Sequence, residues 1–280
     1  MSREVWRRLE TVNAVTYFAD ECRGALRDLG LRGFWMGYFA ARAAPMGPVS
    51  APVVQAAFYN FHPAMVRRAI PDAWAHAAPV AIVAARSHAA ADAIRRLAPR
   101  TDATCAELLP LVTKAIEHGN GRHRPLFTAN RTVEPAGDPL ADVWQAATTL
   151  REHRGDGHVE LLAESEIDGC EAHVLFAATE SLAAETLRDN RGWSHADWDA
   201  AADRLQGRGL LGSTREPTDA GRTLRAHIEL RTDKLAAQPY ETLTEHEVGR
   251  LFELVAAIAE PVASSGVIPF PNPMGLPRPR

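Results

Sequence analysis

Apolar residues recur every three or four positions along most of the 280-residue chain, whereas the alternation typical of strands is nearly absent. This pattern predicts a mostly α, multi-helical protein. Pro63, Pro71 and Pro79 each fit the first turn of a new helix and interrupt an existing one, so short helices are expected there. With 46% hydrophobic and 24% charged residues, the composition is that of a folded globular chain.

Length and loop composition predict two domains. A chain of 280 residues is near the size at which a single core divides into two. Residues 119–125 and 135–139 are rich in loop-forming glycine and proline, which puts the boundary near residue 130. We therefore expect an N-terminal helical domain over residues 1–130 and a winged-helix-like domain over residues 131–280. The second domain ends in an apolar, proline-rich strap that contains Val267, Ile268, Phe270, Met274 and Leu276.

Charge and cysteine content exclude several classes of protein. A formal net charge of −4 provides no general attraction to nucleic acid or to anionic membranes. Cys22, Cys105 and Cys170 are odd in number and form no CxxC motif, which excludes a disulfide framework. The sequence has neither a signal peptide nor a membrane-spanning stretch, so we expect a cytoplasmic protein without a membrane partner. No motif indicates a cofactor, because phosphate loops and nucleophile elbows are absent.

The C-terminal half contains a segment whose order is typical of a winged helix-turn-helix. Residues 192–211 contain a helix with Ser194 as its N-cap and Gly207 near its end. Residues 212–222 follow as a turn between short strands, and a long helix resumes after them. This order predicts a winged helix-turn-helix with a small β wing, and residues 180–256 resemble the wing region of MarR-type regulators.

A second resemblance covers nearly the full length. Residues 39–47, 58–63, 150–158, 191–193 and 269–275 are similar to segments of an actinobacterial family of SalK-like helix-turn-helix proteins. The name of that family describes a fold and carries no established activity. The resemblance therefore implies a helix-turn-helix and leaves the activity open.

DNA binding is the function that a winged helix usually suggests, but the charge pattern disfavours it. The expected recognition helix carries Asp197, Asp199 and Asp203, which oppose the approach of phosphate groups. Residues 188–250 contain ten Lys or Arg and eleven Asp or Glu, so this segment has no basic surplus. The residues that would contact DNA under this alternative are Arg204, Arg208, Arg215 and Arg222.

Residues 151–158 form the densest polar group in the chain, with two histidines, two arginines, two carboxylates and two glycines. On a continuous helix, His153 and His158 would point about 140° apart. Gly155 and Gly157 allow the backbone to turn, so the sequence predicts a corner at which these side chains converge.

Two interpretations of this polar group stay open. In the functional one, Arg154 binds an anionic group, Asp156 orients an imidazole, and His158 donates or accepts a proton as the catalytic residue. In the structural one, Asp156 caps the next helix and the arginines stay in solvent. No metal is predicted, because two histidines five residues apart are not an established ligand pattern.

A neighbouring group of residues suggests a ligand-binding pocket. His62 precedes Pro63 and is held out of helical geometry, while Tyr38 and Arg42 share one helical face. If the N-terminal helices close over residues 151–158, an aromatic pocket with an arginine on each side results. The candidate ligand-binding residues are His153, His62, Tyr38, Arg42 and Tyr59.

The function that fits these observations best is a small-molecule-binding protein or enzyme of specialised metabolism, with a small organic ligand as its partner. An adapted winged helix would act as the scaffold for a polar pocket around residues 151–158. The alternative is a MarR-like, ligand-responsive transcriptional regulator, in which the same pocket senses a ligand. A scaffold that binds only another protein forms a third class. Neither a reaction type nor an oligomeric state follows from the sequence.

Overall fold

The computed structural model describes residues 2–180 and 183–279, and this part of the chain is mostly helical, as predicted. Short loops and two 3-10 turns connect the helices. In chain order the α-helices are α1 (Ser2–Phe18), α2 (Asp20–Asp28), α3 (Gly33–Ala43), α4 (Ala51–Phe58), α5 (Pro63–Arg67), α6 (Ala73–His76), α7 (Pro79–Leu97), α8 (Asp102–His118), α9 (Pro125–Asn130), α10 (Pro139–Glu164), α11 (Gly169–Glu180), α12 (Ala184–Arg191), α13 (His195–Gly207), α14 (Asp219–Ala237) and α15 (Glu245–Ser264).

Helix α10 is the longest and packs against α1, α7, α8, α9 and α14. The carboxylate of Asp138 begins it by accepting a 3.0 Å hydrogen bond from Leu140 N. Trp144 and Leu150 of α10 are buried in the largest hydrophobic cluster, which also includes side chains of α1 and α15. This cluster draws on both sides of residue 130, and the division into two domains stays a prediction.

The corner predicted at residues 151–158 is wrong, because α10 continues through both glycines. A glycine inside a helix costs only about 1 kcal/mol relative to alanine, and the packing of α10 against its neighbours outweighs that cost. Gly157 also has a packing role, since a Cβ atom there would lie 2.9 Å from Nη1 of Arg124. His153 and His158 therefore point apart instead of converging.

Helices α11, α12 and α13 pack together, and a short turn joins the last two. Helix α12 ends at Gly192, whose φ of 75° is the left-handed conformation common after helices. Ser194 then caps α13 through reciprocal hydrogen bonds with Asp197, as predicted. Leu205 of α13 and Leu175 of α11 belong to a second hydrophobic cluster that holds this unit together.

The predicted β wing is wrong. Within residues 2–180 and 183–279 there is no strand, and Leu211 and Pro217 form one isolated bridge. A 2.8 Å hydrogen bond from Gly212 N to Glu216 O closes a tight loop. The side chain of Thr218 then caps α14 immediately, so no residues remain for a second strand.

The C-terminal strap, residues 265–279, lies against the largest hydrophobic cluster. Its residues Ile268, Asn272 and Leu276 are buried. The amide of Asn272 shapes the strap, because Oδ1 accepts hydrogen bonds from Met274 N and Leu276 N. Nδ2 of Asn272 donates to the carbonyl oxygen of Leu276 at 2.9 Å.

No helix in the described ranges is long and apolar enough to cross a membrane. Cys22, Cys105 and Cys170 are buried free thiols.

Candidate functional site

The large cavity, of about 680 Å³, lies between the N-terminal helices and the helix-turn-helix unit (α11, α12 and α13). Its walls come from α1, α3, α4, the C-terminal half of α10, α11, α12, α14 and residues 273–277 of the strap. Cavities of roughly 300–1,000 Å³ are the size that holds small organic ligands. The large cavity is therefore the first candidate for a binding site.

One wall of the large cavity is aromatic. Trp35, Tyr38, Phe58 and Phe61 line it. The Tyr38 ring centroid lies 5.5 Å from that of Trp35 and 5.4 Å from that of Phe61. The rings pack edge to face or tilted, and together they form an apolar surface with limited freedom, which suits the apolar body of a ligand.

The charged side chains on the wall of the large cavity are mostly cationic. Its glutamates are Glu10, Glu180 and Glu229, and its arginines are Arg3, Arg7, Arg23, Arg42, Arg151, Arg154, Arg191 and Arg225. A concave surface with such an excess of one sign concentrates ligands of the opposite charge. Seven of these arginines form ion pairs with carboxylates of the chain, and among the described residues Arg191 is the exception, so the large cavity offers an anion one cation without a carboxylate partner.

A buried ionic cluster supports the floor of the large cavity. Arg42 holds Glu152 with two hydrogen bonds of 2.8 and 3.0 Å, and Arg151 donates to Glu152 at 2.7 Å. Arg151 also lies 3.3 Å from Glu10. Burial by itself would raise the pKa of Glu152, but Arg151 and Arg42 lower it to about 2. Arg42 therefore lines the cavity with its charge already paired.

Arg154, expected to bind an anion, is also paired within the chain. Its guanidinium donates to Asp233 at 2.7 Å and to Glu229 at 3.4 Å, both on α14. It also stacks on the Trp6 ring at 4.6 Å. The main role of Arg154 in this arrangement is to join α10 to α14.

His158 lines the large cavity as a neutral imidazole. Its Nδ1 lies 3.0 Å from Oγ1 of Thr232, and the Thr232 hydroxyl donates to Ile228 O. The Thr232 oxygen must therefore accept a hydrogen bond from the Nδ1–H of His158, which leaves Nε2 as an acceptor. Burial lowers the pKa of His158 to about 4, so it is uncharged at neutral pH.

The predicted pair of Asp156 and His158 is not formed. Residues two apart on a helix point about 160° away from each other, and Asp156 instead accepts a 2.9 Å hydrogen bond from Phe127 N in the first turns of α9. Burial raises the pKa of Asp156 to about 7. The structural interpretation, in which Asp156 caps a helix, describes its contact better, although the helix is α9.

Three other predicted ligand residues lie outside the wall of the large cavity. His153 packs on the Phe127 ring at 4.8 Å, and burial lowers its pKa to about 3. His62 accepts a hydrogen bond from Ala64 N and caps α5. The Tyr59 hydroxyl donates to a backbone carbonyl oxygen at 2.6 Å. Each of these side chains is used for folding.

Arg191 is the functional candidate that sequence reasoning missed. It ends α12, and its guanidinium donates only to the carbonyl oxygens of Asn190 and Pro273, at 3.2 and 3.1 Å, while it lies over the Phe61 ring. Across the described residues it forms no ion pair with a carboxylate. Burial lowers the pKa of Arg191. No local sequence pattern could reveal these contacts of Arg191, because Pro273 is 82 positions away in the chain.

The arginines considered for DNA binding are largely occupied by contacts within the helix-turn-helix unit. Arg204 pairs with Glu171 at 2.8 Å and Asp168 at 2.6 Å. Arg208 donates to two backbone carbonyl oxygens after α10, and Arg215 pairs with Asp203 at 2.5 Å. Arg222 is exposed on the first turn of α14. Paired arginines offer less charge to a phosphate backbone.

Comparison with known proteins identifies a family but no individual relative. No curated protein and no solved structure matches the chain. Within the described residues, no group of three or more side chains is suited to hold a metal ion. The model of a helix-turn-helix family matches residues 2–269, nearly the entire chain. The chain therefore belongs to this helix-turn-helix family.

Proposed function

We propose that this protein binds a small organic anion with an aromatic or apolar body in the large cavity. The observation that carries the proposal is Arg191, a half-buried cation on the cavity wall whose hydrogen-bond partners in the described chain are neutral carbonyl oxygens. Buried charges in proteins are normally paired, because removing an unpaired charge from water is costly. An anionic ligand would supply the missing partner.

The remaining wall indicates the rest of the ligand. Trp35, Tyr38 and Phe61 provide an aromatic surface beside Arg191, and the Phe61 ring lies directly against its guanidinium. A carboxylate, sulfonate or phosphate group would bind at Arg191 while a ring or chain packs on the aromatic wall.

Binding is better supported than catalysis. His158 is neutral and hydrogen-bonded to Thr232, because burial lowers its pKa more than the nearby Glu229 raises it. Arg154 and Arg42 already neutralise carboxylates of the chain. The proposed function is therefore that of a cytoplasmic ligand-binding protein; buried free thiols agree with a reducing compartment.

A second candidate function is a ligand-responsive regulator of the MarR-like kind. The observation that favours it is that α11, α12 and α14, which pack in or against the helix-turn-helix unit, also line the large cavity. A ligand that binds Arg191 would thus contact the last residue of α12. The acidic residues of α13 and the paired arginines beside it oppose DNA binding, so this candidate ranks second.

The fluorescent anion anilinonaphthalene sulfonate tests the main proposal, with N-phenylnaphthylamine as an analogue that lacks the sulfonate. The wild-type protein should bind the sulfonate in a saturable manner. Arg191→Gln should weaken this binding at least tenfold while changing the affinity for the neutral analogue less than twofold. Arg222→Gln, which removes an exposed arginine outside the cavity, is the matched control. Equal effects of both variants on sulfonate binding would refute the assignment.

A further inference from the structure

A small cavity of about 180 Å³ adjoins the large one. The two cavities share Tyr17, Tyr38 and Arg42 as a common wall. Much of the remaining surface of the small cavity is apolar, with Leu26 and Trp144 among the residues that form it. Its contents are thus partly shielded from water.

Two buried hydrogen-bond donors on the wall of the small cavity have no acceptor in the described chain. They are Nε of Arg86 and Nδ2 of Asn13. The residues are only 3% and 1% exposed. Buried polar atoms without a partner are uncommon in folded proteins. Since both atoms can only donate, the missing partner must be an acceptor.

The charge of Arg86 is not neutralised by its direct contacts. Nη1 donates to Ala41 O at 2.5 Å, and Nη2 donates to side-chain oxygens of Asn130 and Gln145 at 2.9 and 2.8 Å. All three acceptors are uncharged amide oxygens. Burial lowers the pKa of Arg86 to about 10, so it still carries its proton at neutral pH.

The carboxylate that acts most strongly on Arg86 through space is Glu152. Arg42 and Arg151 hold Glu152 directly, and Arg151 shares Glu10 as well. The buried group therefore contains three arginines and two glutamates, and its surplus positive charge lies beside the small cavity. A missing acceptor that is also an anion would satisfy both the hydrogen bonds and the charge.

We propose that the small cavity binds the carboxylate of a small organic acid, with Arg86 and Asn13 as its binding residues. The carboxylate would accept several hydrogen bonds, and the apolar body of the acid would pack against the apolar part of the wall. Phosphate fits less well, because a multiply charged, strongly hydrated ion gains little from such a surface. This site is separate from the anion site proposed at Arg191 and does not depend on it.

Benzoate is a suitable probe, with benzamide as its uncharged isostere and inorganic phosphate as a second anion. Isothermal titration of the full-length protein, with the large cavity already saturated by anilinonaphthalene sulfonate, should show saturable benzoate binding at one site. Benzamide should bind at least tenfold more weakly, and phosphate should not compete with benzoate. Absence of saturable benzoate binding, equal affinity for benzamide, or competition by phosphate would each overturn the assignment to a carboxylate.

Three substitutions locate the benzoate. Arg86→Met should reduce its affinity at least tenfold. Because that change also removes three hydrogen bonds, Gln145→Glu provides a second test that keeps Arg86 and places a carboxylate at the existing 2.8 Å contact. Gln145→Glu should likewise reduce benzoate affinity at least tenfold. Arg32→Gln, which removes an exposed arginine outside both cavities, is the control and should change affinity less than twofold.

Arg191→Gln separates the two proposed sites. It should weaken sulfonate binding in the large cavity and leave benzoate affinity within twofold of wild type. The small-cavity proposal is overturned if benzoate affinity falls in Arg191→Gln but persists in folded Gln145→Glu. The large-cavity proposal fails on its own if sulfonate binding is insensitive to Arg191 while benzoate still requires Arg86.

Discussion

Nη2 of Arg191 donates a 3.1 Å hydrogen bond to the carbonyl oxygen of Pro273, which joins the end of α12 to the C-terminal strap at the wall of the large cavity. The strap and the helix-turn-helix unit thus meet at the residue proposed to bind the ligand. A ligand anion at Arg191 would lie beside this contact, so the order of the strap should influence both stability and binding.

The strap should stabilise the fold through its buried side chains. Leu276→Ala is expected to lower the free energy of unfolding by about 2 kcal/mol or more, because it removes a buried side chain and leaves a cavity. Deletion of residues 266–280 should lower the melting temperature by several degrees. Urea denaturation measures the first effect and calorimetry the second. Arg278→Gln, an exposed change in the same segment, should stay within about 0.5 kcal/mol of wild type; a free strap would instead make all three proteins equally stable.

The same substitution at two cavity arginines should change the stability by very different amounts. Arg42→Met removes one partner of the buried Glu152 and should cost about 3 kcal/mol of stability. Arg191→Met removes a cation without a carboxylate partner in the described chain, and the stability should change by less than about 1 kcal/mol. Urea unfolding of both variants at one pH provides the comparison. A loss of similar size in Arg191→Met would mean that Arg191 is a structural residue.

The raised pKa of Asp156 predicts a specific pH dependence. Its pKa is about 7 in the folded protein and about 3.9 in an unfolded chain, so between these values the folded state retains a proton that the unfolded state has lost. The contribution of Asp156 therefore makes the protein less stable as pH rises through this window. Asp156→Asn keeps an acceptor for Phe127 N and removes the titration. It should be more stable than wild type by roughly 4 kcal/mol near pH 8, since each unit of pKa difference corresponds to about 1.4 kcal/mol.

The control for this prediction is the same pair of proteins under acidic conditions. At about pH 4, Asp156 is protonated in the folded state, so the stability difference between wild type and Asp156→Asn should largely vanish. Other buried groups titrate in both proteins and cancel in the comparison. A stability difference that is the same at both pH values would show that the pKa of Asp156 is not raised.

The sequence predicts the helices well where local signals are sufficient. Ser194 and Asp197 form a capping box that can be recognised from residue type and spacing alone. Gly155 and Gly157 mislead for a physical reason: their flexibility permits a turn, while packing around α10 and the guanidinium of Arg124 decide against one. The prediction of a β wing is wrong because a turn pattern does not reveal that the next helix begins immediately after it, with Thr218 as its N-cap.

The same distinction between local signals and distant contacts applies to the candidate site. Tyr38 and Arg42 share a helical face, and both line the large cavity. Arg191 and Arg86 cannot be recognised from the sequence, because each is distinguished by the lack of a carboxylate partner. Whether an arginine has such a partner depends on contacts between segments far apart in the chain. A single sequence contains residue types but not their neighbours. The unpaired charges that carry both proposals are visible only after folding.

The last prediction concerns DNA, where the family and the charge pattern disagree. Asp199 and Asp203 are exposed on α13, and Arg204 is already paired with Glu171. We expect no binding tighter than the micromolar range to random or promoter-derived duplexes at physiological salt, measured by fluorescence anisotropy. Asp199→Asn should strengthen nonspecific binding slightly, since it removes a repulsive charge, and its affinity should decrease with salt more steeply than that of wild type. Submicromolar, salt-sensitive binding by the wild-type protein would make the ligand-responsive regulator the better function, with the large cavity as its sensor.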